Sequence, residues 1–414
     1  MGSQEGTASL KIALVAPFAM APKATTSARV MPMARALALR GHECTVLIPP
    51  YDNRDEWSSP KLEDGVRLVW AAPTEHRHAR ALETPHDQIA MYRQIVQRLE
   101  AIDPDVVHIF KPKAVSGLVQ IDIWFRRTRA ALVLDCDDWE GRGGWSKFER
   151  YPWALKWGFD LQERFSLTRN DAVTAASDEL ARRITGCGKP VMKIPNFYDP
   201  ARYRGWSSTG NRRKGRLALG VEDESPIGLV YSRFFEFPLV GFASLIQRFL
   251  TRLPEARFLV LGRGHRGEHV ELERLNAIAG FSGRIHYWGW PGLERAGQAL
   301  AAVDVALMPS VNTIATRSKC PVRLLDLAVA GVPAAAHDVG EARTYVCSGV
   351  DGALVSGAEV DPLVDVAVSL AQNAGRPRHE VLPDRLLRGD LSLTKAGDNL
   401  EKVYSEAIRQ RAAR

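Results

Sequence analysis

Apolar residues along this chain come in short blocks of strand length, and longer stretches with helical spacing separate the blocks. In the first half the blocks are LKIALVAPF, ECTVLIPP, DPDVVHIF, AALVLDCDD and DAVTAAS. Residues 27–40, SARVMPMARALALR, predict a helix that stops at Gly41, with Pro32 implying a late start or a bend. After the polar stretch SSTGNRRKG the rhythm restarts with SPIGLVYS, ARFLVLG, RIHYWG, DVALMPS, VPAAAH and GALV. Such alternation argues an α/β architecture of parallel sheets covered by helices on both faces. A chain of 414 residues exceeds one ordinary core. Two successive domains are therefore expected, over 1–200 and 225–393, with a linker over 201–224. A terminal helix over 394–410 must pack somewhere; periodicity leaves the choice of domain open, including a return onto the first.

Ligands on parallel sheets gather beyond the carboxyl ends of the strands, so the residues just after each strand carry the information. Residues 304–333, DVALMPSVNTIATRSKCPVRLLDLAVAGVP, are the most telling. A strand ends at Pro309-Ser310, and a helix is predicted from Ser318 to Gly331-Pro333. Lys319, Arg323 and Asp326 then share one face, with Val322, Leu325 and Val329 buried on the other. Two cations beside the unpaired N–H groups of a helix start make an anion site suited to phosphate. Asp326, one turn further, can accept hydrogen bonds from sugar hydroxyls. Together these outline a nucleotide-sugar site.

Other strand ends add candidates. Arg233, in YSRFFEF, presents a fork suited to a diphosphate; a loop-closing pair with Glu236 is the plainer alternative. After the first strand, PFAMAPKATTSAR lacks G-x-G-x-x-G, which disfavours a nicotinamide dinucleotide. Its small residues admit a ligand: Thr25 and Ser27 could approach phosphates, Ser27 could cap the helix, and Arg29 would face the cleft unless it and Lys23 are merely solvated. LDCDDWEG supplies Asp135, Asp137 and Asp138 for acceptor hydroxyls or general-base work. The D-x-D spacing of Asp135 and Asp137 is weak evidence for a metal. Trp139 and Trp145 could stack on sugar rings. His108 is a further acceptor-side candidate, although a lone His at a strand end is more often structural. Gly289 and Trp290 after a second-domain strand could admit and flank a base, with turn chemistry nearly as good an explanation.

Bulk properties exclude several classes. The five cysteines show neither zinc nor disulfide spacing, so a reducing cytoplasmic setting is expected. No apolar run is long enough to cross a bilayer. MGSQEGTASL has no signal-peptide layout, and Gly6 stands where a myristoylation signal needs Ser or Thr. It reads as a disordered lead-in. The net charge of +7 suits an anionic substrate or membrane surface; no nucleic-acid module is recognisable. The aromatic, basic segments Ile123–Arg127 and Trp153–Trp157 could meet a membrane peripherally, although packing on the protein's own sheet is the simpler explanation.

The run PSVNTIATRSKCPVRLLDLAVAGVPAAAHDVGEARTYVCSGVDGALV resembles the donor-binding half of glycosyltransferase family 4. TSARVMPMARALALRGHECTVLIPP and MKIPNFYD resemble its opening strand–helix–strand and its pre-linker segment. The resemblance covers nearly the whole chain. It implies a GT-B fold, two Rossmann-like domains facing across a cleft, and retaining transfer from a nucleotide-diphosphate sugar without metal or other cofactor. By position it makes Arg233 the diphosphate-binding Arg. The family's partner Lys falls on Pro238, leaving Lys319 or Arg323 to replace it. The family's paired Glu residues fall on Ser318, at the donor sugar, and Asp326, at the ribose, and its His falls on Asp137. Catalytic weight is thus expected at Asp137, Asp138, Arg233 and Lys319. The acceptor could be a glycan, a lipid-linked sugar or a small metabolite. Rival readings are a nucleotide-sugar epimerase on the same scaffold and a non-catalytic binder of nucleotide sugars.

Overall fold

The computed structural model describes residues 8–72, 85–141, 143–147, 152–206, 208–221, 225–264, 267–373 and 383–414. Most of the expected lead-in, residues 1–7, lies outside them. The chain divides into two compact units: residues up to Arg202 together with Arg388–Arg414, and Tyr203–Leu387.

The first unit is built on strands β1 (Lys11–Val15), β2 (Glu43–Ile48), β3 (Lys61–Glu63), β4 (Val66–Trp70), β5 (Val106–Phe110), β6 (Ala131–Cys136), β7 (Ala172–Ala175) and β8 (Val191–Lys193). Their order is β3-β4-β2-β1-β5-β6-β7-β8. All pairs are parallel except β3 with β4. The central strands are buried along their length, as a sheet covered on both faces requires. The second unit carries β9 (Ile227–Tyr231), β10 (Arg257–Leu261), β11 (Ile285–Gly289), β12 (Val305–Met308), β13 (Ala334–His337) and β14 (Gly352–Val355), ordered β11-β10-β9-β12-β13-β14 and all parallel.

Three local expectations change. Residues 26–30 form a π-helical turn that runs directly into the α-helix Met31–Ala38, with Pro32 just past the junction. The helix thus starts early, at Thr26, rather than late. The stretch read as a linker contains the helix Ser208–Ala218, which packs on Leu293–Ala302 of the second unit. Glycine permits that approach: a Cβ on Gly215 would lie 2.2 Å from the carbonyl oxygen of Gln298. The predicted helix from Ser318 is two helices, Ile314–Ser318 and Val322–Ala330. Pro321 disfavours helical backbone at Cys320 and cannot donate, so the chain passes extended through Lys319 and restarts at Val322. Leu324–Ala328 are buried, whereas Val322 and Val329 are only half-buried.

The terminal helix, Leu393–Ala412, packs on Met31–Ala38 and against β6 and β7. Leu400, Val403, Tyr404 and Ala407 enter the first unit's apolar core beside Leu37 and Val133. Tyr404 also begins a buried polar chain. Its hydroxyl lies 2.9 Å from His108 Nδ1, and His108 Nε2 lies 3.2 Å from Thr174 Oγ1. Thr174 donates to Asp135 Oδ1 at 2.6 Å, so it accepts from His108, and Tyr404 donates to Nδ1. Burial pushes the imidazole pKa down to about 4, which keeps it neutral. Asp135 is also held by Arg29 through two 2.7 Å contacts.

Tyr404→Phe would leave His108 Nδ1 buried without a donor, at a cost of about 1–3 kcal/mol. The urea midpoint of the first unit should fall and that of the second should not; equal shifts in both would contradict the assignment. An imidazole pKa for His108 near 6.5 by NMR would contradict it as well.

Candidate active site

In an open parallel sheet a crevice opens where strand order reverses. In the second unit the reversal lies between β9 and β12, because β10 and β11 extend one way and β13 and β14 the other. A small pocket, partly open to solvent, lies there; Tyr231, Ser232, Glu236, Pro309, Lys319, Arg323 and His337 are among its walls.

The loop after β9 is shaped from within. The Ser232 hydroxyl accepts from the Phe234 N–H at 2.8 Å and donates to Glu236 Oε2 at 2.9 Å. Phe234 adopts φ +62°, and its ring is buried edge-on against Phe242. Arg233, half-buried, lies over Trp290 with its guanidinium carbon 5.1 Å from the ring centroid, and Trp290 leans on Tyr231. Glu236 is buried and pairs with Arg323, with Lys319 at 3.6 Å. Arg323 also donates to the Tyr231 carbonyl at 3.0 Å, and the Lys319 ammonium sits 3.9 Å over Phe235. Burial alone would raise the Glu236 carboxyl. The charges of Arg323 and Lys319, with hydrogen bonds from Arg323 and Ser232, outweigh it and hold the pKa down to about 2. Lys319 and Arg323 thus stand with one carboxylate at the strand-order reversal, while Arg233, on the loop after β9, lies over Trp290. Arg323 is at the start of Val322–Ala330, where helix N–H groups add positive potential.

Glu236 had no place among the sequence candidates except as the partner of Arg233. In the structure it serves Arg323 and Lys319 instead. Ser318 is completely buried and cannot line the pocket. Asp326 is buried and accepts a 2.8 Å hydrogen bond from the Tyr203 hydroxyl, so its carboxylate is not presented to a ribose. Both residues fall on inward faces once the helix restarts at Val322. Gly289 ends β11 with φ +62°, and its carbonyl accepts from the Gly262 N–H at 2.6 Å. Gly262 has φ +129°, and a Cβ there would meet the Ser232 carbonyl oxygen at 1.7 Å.

The first unit reverses strand order between β1 and β5. Lys111, directly after β5, has φ +48° and holds Asp138 at 2.8 Å, Glu140 at 3.2 Å and Asp137 at 3.4 Å. Lys113 takes the other Glu140 oxygen at 3.1 Å, and Thr25 reaches Asp137 at 3.4 Å. Burial, reinforced by the neighbouring Asp138 and Asp135 charges, raises the Asp137 pKa to about 6 against the pull of Lys111 and Arg29. Burial likewise lowers Lys111, but Asp137, Asp138 and Glu140 more than reverse this and carry it well above the usual lysine value. Trp139 is half-buried under the Arg183 guanidinium. Lys111 and Glu140 escaped the sequence reading. The rule that singled out Arg233, a charged residue just beyond a strand, applies equally to Lys111.

Four expectations in this unit are corrected. Arg29 is buried and spends its donors on Asp135, Asn196 and the Ile194 carbonyl, not on a ligand. Asp135 and His108 have no exposed surface, being links of the buried polar chain. Ser27 does not cap; it lies inside the π-turn and donates to the Ala24 carbonyl at 3.3 Å. Asp135 and Asp137 face different partners, and among the described residues no group of three or more His, Cys, Asp or Glu is placed to hold a metal ion.

Two parallel-sheet units, each with charged groups at its strand-order reversal, place the chain in the GT-B class. Residues 25–196 match the glycosyl transferase 4-like domain, and residues 226–373 match glycosyl transferases group 1. The chain belongs to the glycosyltransferases of the family 4 type. Curated relatives include a 2-deoxystreptamine glucosyltransferase of Streptomyces kanamyceticus, 27% identical over 43% of this chain and 45% of that protein. A D-inositol 3-phosphate glycosyltransferase of Xylanimonas cellulosilytica is 28% identical over 54% of this chain and 52% of its own length. The chain therefore spans about half the length of these two relatives. A phosphatidyl-myo-inositol mannosyltransferase of Mycolicibacterium smegmatis is 23% identical over 88% of this chain and 85% of its own. The catalytic domain of starch synthase IV from Arabidopsis thaliana, bound to ADP and acarbose, shares the fold at a TM-score of 0.73, with 13% identity over 97% of this chain and 100% of that one. Anabaena HepE, in complex with UDP and glucose, superposes at 0.61, with 15% identity over 98% of each chain.

Gly262→Ala combines a left-handed backbone with a clash against the residue that orients Glu236. It should cost more than about 2 kcal/mol in the second unit's unfolding free energy. A urea midpoint unchanged for that unit would refute the contact.

Proposed function

We propose that the protein transfers a sugar, with retention of configuration, from a nucleotide-diphosphate sugar to a hydroxyl-bearing acceptor. The observation that carries this reading is the pairing of Lys319 and Arg323 around Glu236 at the β9/β12 reversal, with Arg233 on the same loop after β9. A departing nucleoside diphosphate gains negative charge as the glycosidic bond breaks, and fixed cations at that point supply the main electrostatic term. Glu236 holds two of them in place before any ligand arrives. Trp290, beside Arg233, offers a flat apolar face for a base. Asp326, buried against Tyr203, is given no contact with the ribose. No metal is assigned a role; the three side-chain cations would do the work a divalent ion does elsewhere.

The first unit would receive the acceptor. Asp137 and Asp138, braced by Lys111, would orient its hydroxyl or stabilise positive charge on the sugar. Trp139 is placed to flank a ring. Two of the curated relatives name an inositol compound, so inositols and their phosphates are the first acceptors to test.

Arg323→Ala, Lys319→Ala and Arg233→Ala should each lower kcat/KM by roughly 10²–10³. Arg323→Ala also strands Glu236, so Arg323→Ala/Glu236→Gln serves as the folded control. Calorimetry with UDP, ADP and GDP should detect binding by the native chain and its loss in these variants. Retention within a few-fold in all three would overturn the assignment. A new sugar nucleotide formed from donor alone would instead favour an epimerase.

If the Asp137 carboxylate is the working form, activity is full above its pKa and falls as pH drops through about 6. Asp137→Asn should remove that acid limb along with most of the rate. An acid limb that persists unchanged in the variant would assign it to another group.

A further inference from the structure

The helix Trp153–Thr168 breaks the ordinary rule for a surface helix. Its inward face buries Glu163, Ser166 and Leu167. Its outward face carries Trp153, Trp157 and Leu161 at i, i+4 and i+8, which are 82%, 63% and 45% exposed. The expectation of a helix packed on its own sheet gives way to one packed along one side against helix Val115–Arg126. Phe165 of the same helix stacks on Phe125, itself 70% exposed at the end of helix Val115–Arg126. The apolar stripe therefore continues across two helices.

We propose that this ridge docks on an anionic membrane surface. Indole rings with an apolar body and one donor favour the headgroup boundary over both water and hydrocarbon. The charge pattern fits an anionic partner. Arg127 and Arg129 follow Phe125 exposed. The helix's two acids are withdrawn: Asp160 pairs with Arg164 at 3.1 Å, and buried Glu163 accepts the Glu140 N–H at 2.9 Å. No helix among the described residues is long and apolar enough to cross a bilayer, so the contact is peripheral. The ridge adjoins the β1/β5 reversal, because Phe159 of this helix lies 4.7 Å beneath Lys113 and Glu163 touches Glu140. Docking here would hold that strand-end cluster close to headgroups. This holds whatever nucleotide the second unit takes.

The test is co-sedimentation of the full chain with phosphatidylcholine vesicles, plain or with roughly 30% phosphatidylglycerol. Binding is expected to the anionic vesicles, to weaken in about 0.5 M NaCl, and to leave plain vesicles mostly unbound. Trp153→Ala/Trp157→Ala should lower the partition coefficient at least about tenfold, since two indole rings leave the interface. Native Trp fluorescence should shift to the blue on binding. The double variant should keep its circular dichroism and its thermal shift with UDP, which separates this proposal from the donor reading. Absence of vesicle binding, or binding undiminished in the double variant, would overturn the proposal. So would a native dimer that the double variant dissolves, which would mark the ridge as a protein interface.

Discussion

Parallel pairing constrains everything else in this molecule. A strand that must return to the same end of its sheet needs a crossover, so each strand's carboxyl end emits a loop on the same side. Where successive crossovers turn in opposite directions, two neighbouring loops diverge and leave a crevice. The first unit does this between β1 and β5, the second between β9 and β12. Both groups of interacting charges described here lie at these two places. Their positions follow from strand order, and their chemistry follows from the few side chains just beyond each strand.

The second-unit crevice illustrates how cations are kept near one another without a ligand. Lys319 and Arg323 repel, and each would cost free energy if partly buried alone. Glu236 offsets that cost from inside the wall, and its depressed pKa is the measure of how strongly both cations hold it. The carboxylate fixes the geometry of both cations in the absence of any ligand. Ser232 and Gly262 belong to the same device, one orienting Glu236 and the other letting the β10 loop close against it.

In the first unit, the polar residues that looked most chemical from their position turned out to be structural. Tyr404, His108, Thr174, Asp135 and Arg29 form a chain in which donors and acceptors alternate. Such a chain specifies one packing of the terminal helix, because a slipped register would leave the buried His108 Nδ1 without its Tyr404 donor. Asp135 and Asp137 are two residues apart, and yet one is sealed against Arg29 and the other opens toward Lys111. Strand β6 ends at Cys136, so Asp137 is already outside the period that places Asp135 and turns to different partners.

What the sequence determined by itself was the alternation of strands and helices and the family likeness. These depend on local hydrophobic period, turn residues and motif order, which are written along the chain. It did not disclose β3, β4 and β8, which are short and lie at or beside the sheet edges, where periodicity is weak. Nor did it disclose Glu236's partners, the Lys111 hub, or the burial of Arg29, Asp135, His108, Ser318 and Asp326. Those are matters of which distant residues meet. His108 finds Tyr404 across 296 positions, and Glu236 finds Arg323 across 87. Charge and spacing nominate a residue, but only tertiary packing decides whether its polar atoms face another side chain or a ligand.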